Sequence, residues 1–83
     1  MTVIEIFKAL SDDNRLRIVN LLSKTTLCVC ELEAILDMTQ SNVSRHLNKL
    51  KNAGIIDCEK KSQWVYYKID SSFIDKHKML FDY

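Results

Sequence analysis

The hydrophobic period of this chain changes from helical to alternating at its only glycine, Gly54. Upstream, apolar residues recur three and four positions apart, the spacing that gives a helix one apolar face. Downstream, Ile55–Lys60 and Trp64–Ile69 alternate with a period of two and are rich in β-branched and aromatic residues, so they read as strands joined by a polar tip at Lys61–Gln63. A block of helices that gives way to one hairpin, with no proline and no internal repeat, predicts an α+β fold, mainly α, in a single domain over residues 1–83.

Val3, Ile6, Phe7 and Leu10 predict a first helix over about residues 2–10, with Ile4 outside its stripe and available for a subunit contact. Ser11 is expected to cap a second helix over about 12–23, with Asp12 and Asp13 in its first turn, where the macrodipole favours acids. Leu16, Val19 and Leu22, with Ile18 and Leu21, make that helix nearly all core. Lys24–Thr26 reads as a break, and a short third helix, about 30–36, carries Leu32, Ile35 and Leu36. After a tight connection at Asp37–Met38–Thr39, Thr39 caps a fourth helix running to Ala53, and Gly54 takes the left-handed position that ends it. Phe73, Ile74 and Met79–Phe81 predict a last helix, capped by Ser71 or Ser72. Two helices joined by a three-residue turn and followed by a hairpin make a winged helix–turn–helix with a two-stranded wing.

Charge shows what the fourth helix is for. Residues 1–37 hold six acids and four bases, whereas residues 38–56 hold Arg45, Lys49 and Lys51 and no acid. Val43, Leu47 and Leu50 form the narrow apolar stripe of the fourth helix, and Ser41, Arg45, Asn48, Lys49 and Asn52 lie on the far side. Short polar side chains at a helix N-terminus suit the major groove, where Gln40 and Asn42 can pair with adenine and Arg45 with guanine or phosphate. Ser41 and Ser44 suit phosphate oxygens, His46 suits a packing or phosphate role as well as a base contact, and Lys60 and Lys61 at the wing tip can reach the backbone beside the groove. The competing readings are a solvated helix face and a winged-helix module that binds a protein partner through Arg45 and the lysines. No nucleophile–base–acid set suggests an enzyme or a small-molecule substrate. No apolar run approaches a membrane span and no signal segment opens the chain, so a cytoplasmic protein with no membrane partner is expected. Three cysteines in such a chain are expected to be free thiols or metal ligands.

Taken together, Ala9-Leu-Ser-Asp-Asp-Asn-Arg-Leu-Arg-Ile, Leu27-Cys-Val-Cys-Glu-Leu, Gln40-Ser-Asn-Val-Ser-Arg-His-Leu and Leu50-Lys-Asn-Ala-Gly-Ile-Ile resemble the ArsR/SmtB family of metal-responsive bacterial repressors, and do so over nearly the whole chain. The resemblance implies a homodimer built from the N- and C-terminal helices, a palindromic operator in double-stranded DNA, and release when metal binds. It implies that Cys28 and Cys30 are the metal site, for trivalent arsenic or antimony as inducer or for soft divalent cadmium or lead. No organic cofactor is implied. Thiolates are soft donors, which fits such ions. The chain departs from the arsenic pattern at Glu33, which stands where a third cysteine often lies. The third ligand is then a buffer thiol, Cys58 or absent, and Cys58 also reads as a small buried core residue. No cysteine precedes Cys28, which favours arsenic over cadmium or lead. Asp75-Lys76-His77 resembles part of a zinc site on the last helix of other members but is expected to be a solvated helix face.

Residues two apart on an α-helix point about 200° apart, so Cys28 and Cys30 can close on one ion only where the backbone is extended. Metalation is therefore expected to hold residues 28–30 non-helical and to shift the third helix. A thiol-redox switch at the same pair is the alternative, opposed by the strain of a disulfide between residues so close.

Overall fold

The computed structural model describes residues 2–77. Its elements are α1 (Val3–Leu10), α2 (Asp13–Leu22), β1 (Leu27–Cys28), α3 (Val29–Leu36), α4 (Gln40–Asn52), β2 (Ile56–Lys61), β3 (Trp64–Ile69) and α5 (Ser71–Lys76). Ile18, Leu32, Val43, Leu47, Leu50 and Ile55 have no exposed surface. The core is thus where α2, α3 and α4 meet the root of the hairpin, and α4 is held there by its whole apolar stripe.

Helix ends follow local hydrogen bonding, and here three expectations change. Ser11 closes α1, its hydroxyl donating to the Lys8 carbonyl at 2.8 Å, and it does not open α2. Asp12 opens α2, its carboxylate accepting from the Asn14 and Arg15 amides at 2.9 and 3.1 Å. A carboxylate takes two orphan donors and suits the positive end of the dipole, so it displaces the hydroxyl beside it. The same chemistry makes Asp70, not Ser71 or Ser72, the cap of α5, accepting from the Ser72 and Phe73 amides. Thr39 caps α4 as expected, accepting from the Asn42 amide at 3.3 Å.

Gly54 ends α4 with a Schellman motif. Its N–H donates to the Lys51 carbonyl at 2.9 Å, that of Ile55 donates to Leu50 at 3.1 Å, and its φ is 75°. A Cβ at Gly54 would meet nothing within 4 Å, so the demand for glycine comes from the dihedral and not from crowding.

The wing contains a strand that the sequence reading lacks. β1, two residues long, pairs antiparallel with β3, giving a three-stranded sheet in the order β1-β3-β2 rather than a two-stranded wing. β2 and β3 pair from Ile56↔Ile69 to Lys61↔Trp64, leaving Ser62 and Gln63 as the turn, with Ser62 at φ 59°.

Burial departs from the expected stripes on the outside of the molecule. In α1 only Ile6 is buried, while Val3, Ile4 and Phe7 are exposed, Phe7 by 60%. Leu16 and Ile35, expected in the core, are about half exposed at 49% and 50%. Phe73 is buried and Ile74 exposed. Met79–Phe81 lie outside the described residues.

Candidate nucleic-acid interface and cysteine pair

On α4 the polar side chains divide by angle around the helix. Gln40, Ser41, Asn42, Arg45, Asn48, Lys49 and Asn52 are exposed, Ser44 is half-buried, and the first turn carries no acid. The helix therefore offers solvent a continuous face of hydrogen-bonding and cationic groups. Its opposite face is anchored by Val43, Leu47 and Leu50.

His46 does not belong to that face. Only 3% exposed, it stands three residues after Val43 and four before Leu50, within the helical repeat of the core stripe. That spacing was present in the sequence and outweighs the residue's polarity. Its Nδ1 lies 3.4 Å from Arg15 Nη1 and 4.0 Å from an Asp12 carboxylate oxygen. A guanidinium can only donate, so the Arg15 contact is a hydrogen bond where Nδ1 accepts, that is, with the imidazole proton on Nε2. Burial holds the His46 pKa below 6.5, with Arg45, Arg15 and Lys49 acting the same way against the opposing pull of Asp12. Arg15 also donates through Nε to the Ala9 carbonyl, so one side chain joins the end of α1, the start of α2 and the buried side of α4.

At the wing tip Lys60 and Lys61 are both exposed. Lys60 stands opposite Val65 and Lys61 opposite Trp64, so the two lysines point to opposite faces of the hairpin.

The cysteine pair straddles a boundary. Cys28 ends β1 and is the N-cap of α3, extended at φ −89° and ψ 169°, buried, its N–H donating to the Glu31 carboxylate at 3.0 Å. That amide, and the thiol beside it, hold the Glu31 carboxyl below the usual carboxylate range. Cys30 is the second residue of α3 and is exposed. No continuous helix runs through both thiols. The donor chemistry of two thiolates suits a thiophilic ion, but with Cys28 extended and buried and Cys30 helical and exposed the pair does not converge on one point in this backbone. A third donor is not supplied: among the described residues no group of three or more His, Cys, Asp or Glu is placed to hold a metal ion.

Cys58 fits neither of its expected roles. It is half-buried rather than core, and Lys51 Nζ donates to its sulfur at 3.1 Å, which holds the ammonium above the ordinary lysine range. Across the sheet it shares a row with Tyr67 and Leu27, whereas Cys28 stands opposite Tyr66. Neighbouring rows face opposite sides, and β3 lies between the two strands, about 9.6 Å apart in all. Cys58 therefore cannot join Cys28 on one ion within this chain. His77, the histidine of the Asp75-Lys76-His77 run, is half-buried with its ring 4.7 Å from that of Phe73.

Helices α3 and α4 joined by a tight turn, with a hairpin directly after, define the winged helix–turn–helix class of regulator. The model of the bacterial regulatory proteins of the arsR family matches residues 12–57, and the chain belongs to that family. It is 46% identical over 77% of its length to the arsenic resistance transcriptional regulator ArsR1 of Pseudomonas putida, of which the match covers 51%. It is 47% identical over 76% of its length to the cadmium resistance transcriptional regulatory protein CadC of Listeria innocua, of which the match covers 54%. The chain thus spans about half the length of these curated relatives. Among solved structures, the homodimeric winged helix-turn-helix DNA-binding domain Mb0332 of Mycobacterium bovis is similar at a TM-score of 0.84 and 25% identity, covering 95% of this chain and 73% of that one.

Proposed function

We propose that this chain is a homodimeric transcriptional repressor that grips operator DNA with α4 and releases it when a thiophilic ion closes on Cys28 and Cys30. The observation that carries the DNA reading is the acid-free exposed face of α4, Ser41, Arg45, Asn48, Lys49 and Asn52, with Gln40, Asn42 and Ser44 at the end that enters the groove. Lys60 and Lys61 contribute from the wing, one from each face of the hairpin. The exposed Val3, Ile4 and Phe7 of α1 supply an apolar surface for the second subunit, and the Mycobacterium bovis relative is a homodimer.

Release follows from where the thiols stand. The ion requires the two sulfurs on one side, so Cys30 must leave the helical geometry of the first turn of α3 and residues 28–30 become extended. The Glu31 contact to the Cys28 amide, which defines that first turn, is then lost. α3 packs directly on α4 through the shared core of Leu32, Leu36, Val43 and Leu47. An ion that binds the extended form better favours a placement of α4 that no longer matches two half-sites, as linkage demands.

Trivalent arsenic or antimony is the inducer under this reading, its third donor a solution thiol. A cadmium- or lead-type signal is the second reading, favoured by the similarity to CadC. Binding to the chain's own promoter DNA, measured with and without arsenite, cadmium, lead, zinc and peroxide and repeated with Cys28→Ser and Cys30→Ser, separates them. Release by arsenite that both substitutions abolish is the expected result. Release by peroxide alone would transfer the signal to thiol oxidation, and absence of salt-sensitive DNA binding would sink the repressor reading.

A further inference from the structure

Between α1 and the C-terminal half of α4 lies a cleft of about 300 Å³ whose lining includes Lys8, Arg15, Lys49, Asn52 and Glu5. Three of these five are cations. The single acid is already engaged, its Oε1 accepting from the Thr2 hydroxyl at 3.0 Å and the Thr2 amide at 3.4 Å. Neither Lys8 nor Lys49 has a carboxylate within ion-pair distance among the described residues. Arg15 is held in place by the Ala9 carbonyl and His46, so the rest of its guanidinium fork is aimed before any ligand arrives.

Two placements say which anion such a cleft meets. Lys49 and Asn52 are also the last residues of the exposed α4 face, so the cleft continues that face toward α1. On α1, Glu5 lies on the side opposite Val3 and Phe7, while Lys8 stands one turn after Ile4, so a subunit contact through Val3, Ile4 and Phe7 comes up to the cleft only at Lys8. We propose that the cleft seats a backbone phosphate of the operator flanking the bases under α4, with Lys8 as a DNA contact outside the helix–turn–helix. This rests on the operator-binding reading above. A phosphate contact fixes register on the duplex without reading sequence. Lys8 therefore strengthens binding to any duplex and sets how far the protein's footprint extends beyond the half-site.

The test compares the unaltered chain with Lys8→Gln and Lys8→Arg on operator and scrambled duplexes, from about 50 to about 200 mM salt. Lys8→Gln is expected to weaken both duplexes about three- to tenfold at low salt and to lower the slope of log K against log salt by about 0.9 for each protomer. Lys8→Arg keeps the slope. A neutral methylphosphonate at one flanking position is expected to weaken the unaltered chain and leave Lys8→Gln unaffected. Unchanged slope and affinity for Lys8→Gln, beside normal binding by the unaltered chain, would overturn the cleft alone. Failure of the unaltered chain to bind any duplex would overturn the operator-binding reading, and the cleft with it.

Discussion

Helices α1 and α4 are both amphipathic, yet they use their apolar faces differently. The stripe on α4, Val43, Leu47 and Leu50, is wholly buried inside the chain, and His46 is buried with it. The stripe on α1 sinks only Ile6, leaving Val3 and Phe7 beside Ile4 in solvent. Periodicity thus identifies which residues seek cover but not whether this chain or a second copy provides it. One helix is a pillar of the fold; the other leaves its apolar face in solvent, where the proposed second subunit would cover it.

Substitutions on each helix can break that comparison. Leu47→Ala leaves a cavity in a site with no exposed surface and is expected to cost about 2–5 kcal/mol in urea unfolding, the largest effect here. A smaller cost would mean that α4 is not the pillar described. Phe7→Ala should weaken self-association about tenfold, or roughly 1.4 kcal/mol, in sedimentation equilibrium, while changing the unfolding of the isolated subunit by less than about 0.5 kcal/mol. Equal losses in both measurements would erase the difference between the helices. Gly54→Ala places a Cβ on a residue at φ 75° and is expected to cost about 1 kcal/mol with no loss of packing.

The smallest effect is one of pH, and it sharpens the buried side of α4. Because the folded-state pKa of His46 lies below 6.5, the unfolded chain binds more protons as pH falls past that value. The stability this group contributes is therefore complete above about pH 6.5 and declines below it, until the folded-state pKa is passed. The melting temperature should fall on acidification from about pH 7 to about pH 5.5, and His46→Gln should flatten that fall. The carboxyls held below their usual range, Asp12, Glu31 and Asp70, act only at lower pH. An identical slope in the substituted chain would show that His46 does not titrate against the fold.

Much of the molecule was legible because helices announce themselves by period. The four helices up to Gly54, the cap at Thr39 and the Schellman end of α4 all follow from spacing and local chemistry. β1 was not legible, since two residues display no period and its pairing with Tyr66 and Tyr67 bridges some forty residues of chain. The caps at Asp12 and Asp70 were misassigned to neighbouring serines because hydroxyl and carboxylate compete for the same amides. The sequence leaves His46 open between packing and DNA contact, and its place in the core stripe decides for packing. Cys58 was judged by its alternation with Ile56, which gives a face but not the lysine lying over it.

Gly54 is also the fulcrum of a lever. Its two Schellman hydrogen bonds fix the end of α4, and the Asp70 amide, donating to the Ile55 carbonyl at 3.0 Å, ties the far root of the hairpin to the same point. From there a six-residue strand reaches about 20 Å to the tip. A tilt of about 10° at the root therefore swings Lys60 and Lys61 by about 3.5 Å, about the axial rise from one phosphate to the next along a strand of duplex DNA. Under the operator-binding proposal, the turn that stops the helix also decides which phosphate the wing touches.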